Sequence, residues 1–378
     1  MTPESRDECT SRLLREFGGY DQTVDVVSCC QSFLNFHQSG YLTYFDRYPE
    51  IPPSGLTPDF TALLGEYGLV GEVKRTFPKG DDAFRKEIEQ LASYDSPFSF
   101  RCDKEGNRQT PPTQDIVLVL FSPSNSLEIA SRIGDFQDRG EVTFTKNLVL
   151  LEAIYDTSDA ISHYVFRKIP VGSRPFRDSS LPAEIRLEAI LGVQKRSINV
   201  YPKHFKSYKV REVFCNDDPP PLYTAVYLWT KVFYTLLTPD EIEVWRRGNP
   251  QKSVSVPVVP GDLSRKINSE HIPGGNVRAS WVRTALEFLE GCGLATARPS
   301  SEFEVQYRNL AGVSQESGPE EGDRATSGRI KEYGTILARL YCDSKTSAPT
   351  KPVPPPLAGV RQMKLTEVKT GDSDHSRG

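Results

Sequence analysis

Leu56-Thr57-Pro58-Asp59-Phe60-Thr61-Ala62-Leu63-Leu64-Gly65-Glu66-Tyr67-Gly68-Leu69-Val70-Gly71-Glu72-Val73-Lys74 carries the strongest structural signal of the chain. Apolar runs flank Gly65-Glu66-Tyr67-Gly68. They read as two strands, Leu56 to Leu64 and Leu69 to Arg75, joined by a four-residue hairpin loop. Pairing Leu64 with Leu69 sets Asp59 opposite Lys74 and Thr61 opposite Glu72. Opposed residues share a face, and so do residues two apart on a strand. Asp59, Glu72 and Lys74 therefore converge on one side. A slip of one residue would separate them.

Two carboxylates and a lysine on one face suit metal-dependent phosphodiester hydrolysis. Mg²⁺ is a hard ion that prefers oxygen ligands and keeps several waters. A lysine beside it can position the attacking water or offset the charge that develops on phosphate. Downstream, Asp81-Asp82 offers an N-cap, and Phe84, Ile88 and Leu91 follow at helical spacing. This predicts a helix from about Asp82 to Tyr94, with Gln90 and Tyr94 one turn apart on one face. The apolar run Asp115 to Phe121 reads as a strand buried on both faces. Strand, strand, helix, buried strand predicts a mixed α/β layer.

In this order, Asp59, Glu72-Val73-Lys74 and Gln90-x-x-x-Tyr94 resemble the PD-(D/E)XK nuclease superfamily, in its RecB-like, Q-x-x-x-Y branch. The resemblance covers roughly residues 1–135. It implies a restriction-endonuclease-like mixed sheet flanked by helices. It implies Asp59 and Glu72 as ligands of Mg²⁺ or Mn²⁺, Val73 as a backbone-carbonyl ligand, and Lys74 as the catalytic lysine, with Gln90 and Tyr94 completing the site. An acidic residue of the first helix often joins such sites. Glu8 and Glu16 are the candidates, and Glu16 is better placed after Leu13-Leu14. The implied substrate is nucleic acid, DNA favoured over RNA. The same residues also fit a surface hairpin with an ordinary Glu/Lys pair. At the level of function, the alternative is a catalytically silent binding or scaffolding subunit of a nucleic-acid-processing or defence complex.

The remaining composition bounds these readings. The 378 residues suffice for two or three domains, and the net charge of −4 confines any nucleic-acid surface to a local patch. Seven cysteines, including adjacent Cys29-Cys30, contain no C-x-x-C pair. They predict neither a disulfide framework nor a zinc site. The polar N-terminus is unlike a signal peptide, and no apolar run is long enough to span a membrane. A reducing, cytoplasmic setting is the expectation.

Along the chain, helices are predicted over Arg6–Phe17 and Val24–Phe36, divided by Gly18-Gly19, within a nuclease-like domain of residues 1–175. Residues 176–221 read as a basic linker region containing a short helix, Leu181 to Leu191. Its Lys195, Arg196, Lys203, Lys206, Lys209 and Arg211 alternate with Tyr201, His204, Phe205 and Tyr208. Such a run can neutralise phosphates and stack on bases, or simply form a solvated basic edge. Residues 222–310 read as helices followed by a hairpin, Leu294–Arg298 with Phe303–Tyr307. The order resembles a winged helix, with Arg278 and Arg283 near the start of its recognition helix, a module that also serves protein–protein contacts. A disordered linker (311–328), a helix (329–342) able to dock on the body or on a partner chain, and a disordered tail (343–378) complete the prediction.

Overall fold

The computed structural model describes residues 4–37, 41–51, 54–97, 99–121, 125–169, 197–246, 253–272, 275–310 and 326–346. The predicted Leu181–Leu191 helix, Lys195 and Arg196, residues 311–325 of the linker and 347–378 of the tail lie outside the described residues.

The first helix, α1 (Arg6–His37), is one element rather than the predicted pair. Gly18-Gly19 does not break it, because both halves gain packing partners. Tertiary burial offsets the modest helix cost of glycine. At Gly19 the missing side chain has a use. A Cβ there would lie 1.6 Å from a guanidinium nitrogen of Arg75, so the strand-end arginine lies directly against the helix backbone.

The main sheet has seven strands: β1 (Leu42–Arg47), β2 (Phe60–Leu64), β3 (Tyr67–Lys74), β6 (Thr113–Leu120), β7 (Leu148–Asp156), β8 (His163–Lys168) and β9 (Ser197–Val200), in that spatial order. A small ribbon, β4 (Phe100–Arg101) with β5 (Arg108–Gln109), stands apart. The central pairs β3–β6 and β6–β7 are parallel and the outer pairs antiparallel. Parallel pairing needs crossovers. These are supplied by α2 (Asp81–Ser93) and α3 (Ser126–Asp138). The two helices bury Phe84, Ile88, Leu91, Ile129, Ile133 and Phe136 against Val70, Ile116, Leu118 and Leu120. On the opposite face, the second half of α1 and α4 (Pro202–Arg211) bury Val26, Val27, Leu34 and Phe205 against Leu69, Val117, Val119 and Val149. The mixed α/β class holds. The segment read as a basic linker instead supplies β9 to the sheet and α4 to the α1 layer, because its apolar Val200 and Phe205 are buried there.

The hairpin differs from its predicted register. Its turn is the two residues Gly65-Glu66, and Leu64 pairs with Tyr67 rather than Leu69. Gly65 supplies a positive φ of 60°, as tight hairpin turns require. The pairing has moved by two residues, not one. Since side chains alternate with period two, every side chain keeps its face.

The C-terminal elements form a second core. α5 (Pro221–Tyr227) runs on through a π turn, Leu228–Val232, and a 3-10 turn, Phe233–Leu236. Then come α6 (Pro239–Arg246), β10 (Val254–Val258), α7 (Pro260–Lys266), α8 (Ala279–Gly291), β11 (Ala295–Ala297), β12 (Phe303–Tyr307) and α9 (Thr326–Thr346). The predicted hairpin gains a third strand, giving the order β10-β12-β11. In β10 the residues alternate buried and exposed, and Pro257 is tolerated at an edge. The first half of α1 belongs to this core. Leu13 and Phe17 join Trp229, Phe233, Leu286, Val305 and Leu337.

α9 runs antiparallel along α1, as Arg6 pairs with Asp343 while Phe17 lies near Gly334. Between them Cys9 and Cys342 form a disulfide, 333 residues apart in sequence. This corrects the expectation of no disulfide framework. Helix packing brings together two cysteines that no local spacing pattern connects. With it goes the cysteine argument for a reducing compartment. Among the described residues, no helix is long and apolar enough to cross a membrane.

Candidate active site

β2 and β3 fix the acidic pair. Phe60 pairs with Gly71, and a Cβ at Gly71 would lie 2.1 Å from the Phe60 ring. The glycine leaves room for that ring, which pins the register. One residue further, Asp59 comes across from Glu72. Asp59 Oδ2 accepts the Val73 backbone N–H at 2.7 Å, and its carbonyl accepts the Tyr48 N–H at 2.9 Å. Glu72 and Lys74 share the β3 face of Val70, the face that α2 covers.

α2 completes the cluster. Lys74 Nζ lies 2.9 Å from Glu72 Oε1 and 2.9 Å from Glu87 Oε2, and it donates to Gln90 Oε1 at 2.9 Å. Gln90 Nε2 donates to Glu72 Oε1 at 3.0 Å, and the Tyr94 hydroxyl donates to Glu72 Oε2 at 2.8 Å. An ammonium has three donors. One is given to Gln90, and the Glu72 and Glu87 carboxylates stand at ion-pair distance.

The electrostatics follow from this packing. Burial, and then the neighbouring Glu72 charge, push the Asp59 carboxyl well above the usual carboxylate range. Burial also raises Glu72, opposed by Lys74. Lys74 moves up despite burial, because Glu72 and Glu87 hold its proton. It therefore stays an ammonium at neutral pH and acts as a fixed positive charge rather than a proton acceptor. Two carboxylates held above their normal range are a favourable setting for a divalent cation, which would relieve their repulsion. Among the described residues no group of three or more His, Cys, Asp or Glu side chains is gathered as a metal cage. Mg²⁺ asks for less, often one or two carboxylates plus water and substrate phosphate. Asp59 and Glu72 fit that requirement.

The predicted residues divide into two groups. Asp59, Glu72, Lys74, Gln90 and Tyr94 are brought together; Val73 meets Asp59 through its N–H, whereas the expected metal ligand is its carbonyl. Glu16 is not brought to them. It sits in the solvent-facing stretch of α1 and pairs with Arg12 at 3.3 Å, because the buried stripe of α1 there is Leu13, Phe17 and Tyr20. One turn on, Tyr20 reaches the segment after α4. Its hydroxyl accepts the Cys215 N–H at 2.7 Å and donates to the Asp217 carbonyl at 3.4 Å.

The basic run does not line the acidic cluster. α4 lies on the α1 face of the sheet, opposite Glu72 and Lys74. Lys203 is exposed and Lys206 half-buried there. Lys209 is turned inward, with Nζ 2.8 Å from Asp21 and 2.7 Å from Asp25, so it is an internal counter-ion rather than a phosphate contact. The Arg211 side chain lies outside the described residues. Arg278 is not a free reader of bases either. It pairs with Asp218 at 3.4 Å and stacks over Trp281 at the start of α8. Arg283 is exposed on that helix.

Two further acids bear on the cluster, Glu87 by contact with Lys74 and Asp217 through its charge. Glu87 stands three residues before Gln90, on the same helical face, and helical spacing could have found it. Asp217 lies in the Asn216-Asp217-Asp218-Pro219 segment, and its charge acts on both Asp59 and Glu72. Nothing in its local sequence points to the hairpin, so only the tertiary fold places it. Tyr48, next to Asp59, has a φ of 49°, rare for a bulky residue, and its hydroxyl donates to Cys215 Sγ at 3.3 Å. Compared with protein-family models, curated proteins and solved structures, the chain matches none.

Proposed function

We propose that the protein is a Mg²⁺- or Mn²⁺-dependent nuclease of the PD-(D/E)XK type, with a restriction-endonuclease-like sheet and a winged-helix-like C-terminal module that sets targeting or assembly. The observation that carries this reading is the single network of Glu72, Lys74, Gln90 and Tyr94, with Asp59 bound to the backbone between Glu72 and Lys74. Asp59 and Glu72 would hold the cation. When bound, it would supply Lewis-acid stabilisation of the phosphate charge.

The chain's own groups have separable roles. Lys74 is the fixed ammonium that offsets negative charge developing on the scissile phosphate. Gln90 and Tyr94 hold the Glu72 carboxylate in one rotamer. Glu87 keeps Lys74 charged and aimed along the α2 face. DNA is favoured as substrate.

The enclosure of Lys74 by Glu72, Glu87 and Gln90 also suits a silent, scaffolding member of the fold, in which the network is only structural. Incubation of wild type and Lys74→Ala with labelled single- and double-stranded DNA and RNA separates the two. Metal-dependent cleavage by wild type, stopped by EDTA and lost in the variant, supports the nuclease. No cleavage of any substrate in Mg²⁺ or Mn²⁺ leaves the scaffold reading.

A further inference from the structure

Arg75 follows Lys74 at the carboxyl end of β3, and its side chain turns the other way, toward α1. There Gly19 gives it room. Of the two glycines inside the 32-residue helix, Gly18 faces open space, whereas a Cβ at Gly19 would collide with three atoms of the Arg75 guanidinium. Glycine weakens a helix interior. At position 19 it lets a cation rest on the helix backbone.

The guanidinium is mounted on two sides and has no anionic partner. Its second support is the Phe121 ring, whose centroid lies 5.8 Å from the guanidinium carbon. Phe121 stands beside it at the next strand end, its N–H donating to the Lys74 carbonyl at 3.3 Å. Arg47, Arg85, Arg132 and Arg167, in the same half of the chain, each meet a carboxylate. Arg75 meets none among the described residues. Burial alone acts on it, drawing its pKa below the ordinary arginine value with no acid to raise it. An arginine still keeps its charge at any working pH.

Its position ties it to the acids. Asp59 Oδ2 accepts the N–H of Val73, two residues before Arg75, so Asp59, Glu72 and Arg75 occupy one end of the sheet. Lys74 is already enclosed by Glu72, Glu87 and Gln90. Arg75 brings an uncompensated positive charge to the stretch that carries the acids.

We propose that Arg75 anchors a nucleic-acid strand crossing the carboxyl end of β3, by gripping a backbone phosphate next to the one presented to Asp59 and Glu72. A guanidinium matches phosphate with two parallel hydrogen bonds. Mounting it on Gly19 and Phe121 reduces the order lost on binding. That the adjoining phosphate is the one cleaved rests on the nuclease reading above. The phosphate contact itself does not.

The test titrates a fluorescein-labelled single-stranded oligodeoxynucleotide with the full chain in EDTA, read by anisotropy at several salt concentrations. Wild type is compared with Arg75→Ala, Arg75→Lys and Gly19→Ala. Arg75 is exposed and leaves no acid stranded, and alanine is the better helix former at position 19, so the variants should fold, which melting curves check. Arg75→Ala should weaken binding at least tenfold at low salt. It should also reduce the slope of log K against log salt by about 0.7, the share of one phosphate on a single strand. Arg75→Lys should keep the slope and lose part of the affinity. Gly19→Ala keeps the charge but displaces its mount, and should weaken binding too. No binding by wild type, or equal affinity and slope in wild type and Arg75→Ala, overturns the proposal. A second arm measures cleavage of the same strand in Mg²⁺, where Arg75→Ala should raise KM and keep kcat. Arg75-dependent binding without any cleavage by wild type leaves the anchor standing and removes the hydrolytic reading. Cleavage by wild type with an unchanged KM in Arg75→Ala does the reverse.

Discussion

The carboxylate of Asp59 is fastened to the backbone of the strand that carries its partner acid: Oδ2 accepts the N–H of Val73, 2.7 Å away, between Glu72 and Lys74. The first acid is thereby fixed relative to both residues on its own face before any ligand arrives. Its location also sets its cost. Asp59 is held beside Glu72 with little water to screen them, and both carboxyls rise above their ordinary values.

This gives a signed prediction for pH. A carboxyl whose folded pKa exceeds its unfolded value contributes stability that is present below the unfolded pKa and is lost as pH rises through the folded one. Without metal, wild type should therefore melt lower at pH 7.5 than near pH 5. Asp59→Asn keeps an acceptor for Val73 and removes the repelling charge. It should melt above wild type at pH 7.5, the gap closing below about pH 4, where the acid is protonated in both states. Mg²⁺ should raise the melting temperature of wild type and not of the variant, and cleavage should be lost. Equal metal response in both would remove the site.

Lys74→Ala should destabilise in a pH-dependent way. It leaves Glu72 and Glu87 facing each other without their cation. Removing one partner of a fully buried pair costs roughly 3–5 kcal/mol; Lys74 is partly exposed, so about 2 kcal/mol is expected. The loss should be larger at pH 8 than at pH 5, because Glu72 can protonate at the lower pH. Urea denaturation at both values measures it. A pH-independent loss would mean that Glu72 does not depend on Lys74 for its charge.

The basic run should split by residue. Lys209→Met strands Asp21 and Asp25, whose pairing is internal but partly exposed like that of Lys74, and should cost about 2 kcal/mol of stability. Asp25 sits at about 6, raised by burial, so its ionised form needs that lysine. Lys203→Ala with Lys206→Ala should leave stability, cleavage rate and the salt dependence of substrate binding unchanged, since α4 lies on the face away from Glu72. A flattened salt slope in that double variant would put the substrate path on the far face.

Reduction should loosen the join between the two ends of the chain. The Cys9–Cys342 bond closes a loop of more than 300 residues, for which unfolded-state entropy gives a stabilisation of up to about 5 kcal/mol. Dithiothreitol should lower the melting temperature of wild type and not that of Cys9→Ser. Thiol titration of the denatured, unreduced protein should find five of the seven cysteines free. Seven free thiols would show that the helices pack without the bond.

Much of the site was legible because its groups are carried by local periodicities. Glu72 and Lys74 share a face by the two-residue period of a strand, and Gln90 and Tyr94 by the turn of a helix. These relations hold for any register that preserves parity, so the two-residue error in the hairpin left the site intact. Glu16 failed because acid content and proximity to Leu13-Leu14 do not say which way a helix face turns. Lys209 failed because a basic run looks the same whether its lysines meet phosphate or buried aspartates.

Local pattern alone yields the elements: two strands flanking a turn that begins at Gly65, an amphipathic helix, which starts after Gly80 without the expected Asp81-Asp82 side-chain cap, a doubly buried strand, and the acids and lysine set on them. Those follow from local sterics and from the period of apolar residues. Long-range packing is what leaves α1 unbroken, gives its first half to the C-terminal core, brings Cys9 to Cys342, and puts the Asp217 charge where it acts on Asp59 and Glu72. Each of these depends on contacts between segments far apart in the chain. They are set by how whole apolar faces are buried together, which no local pattern encodes.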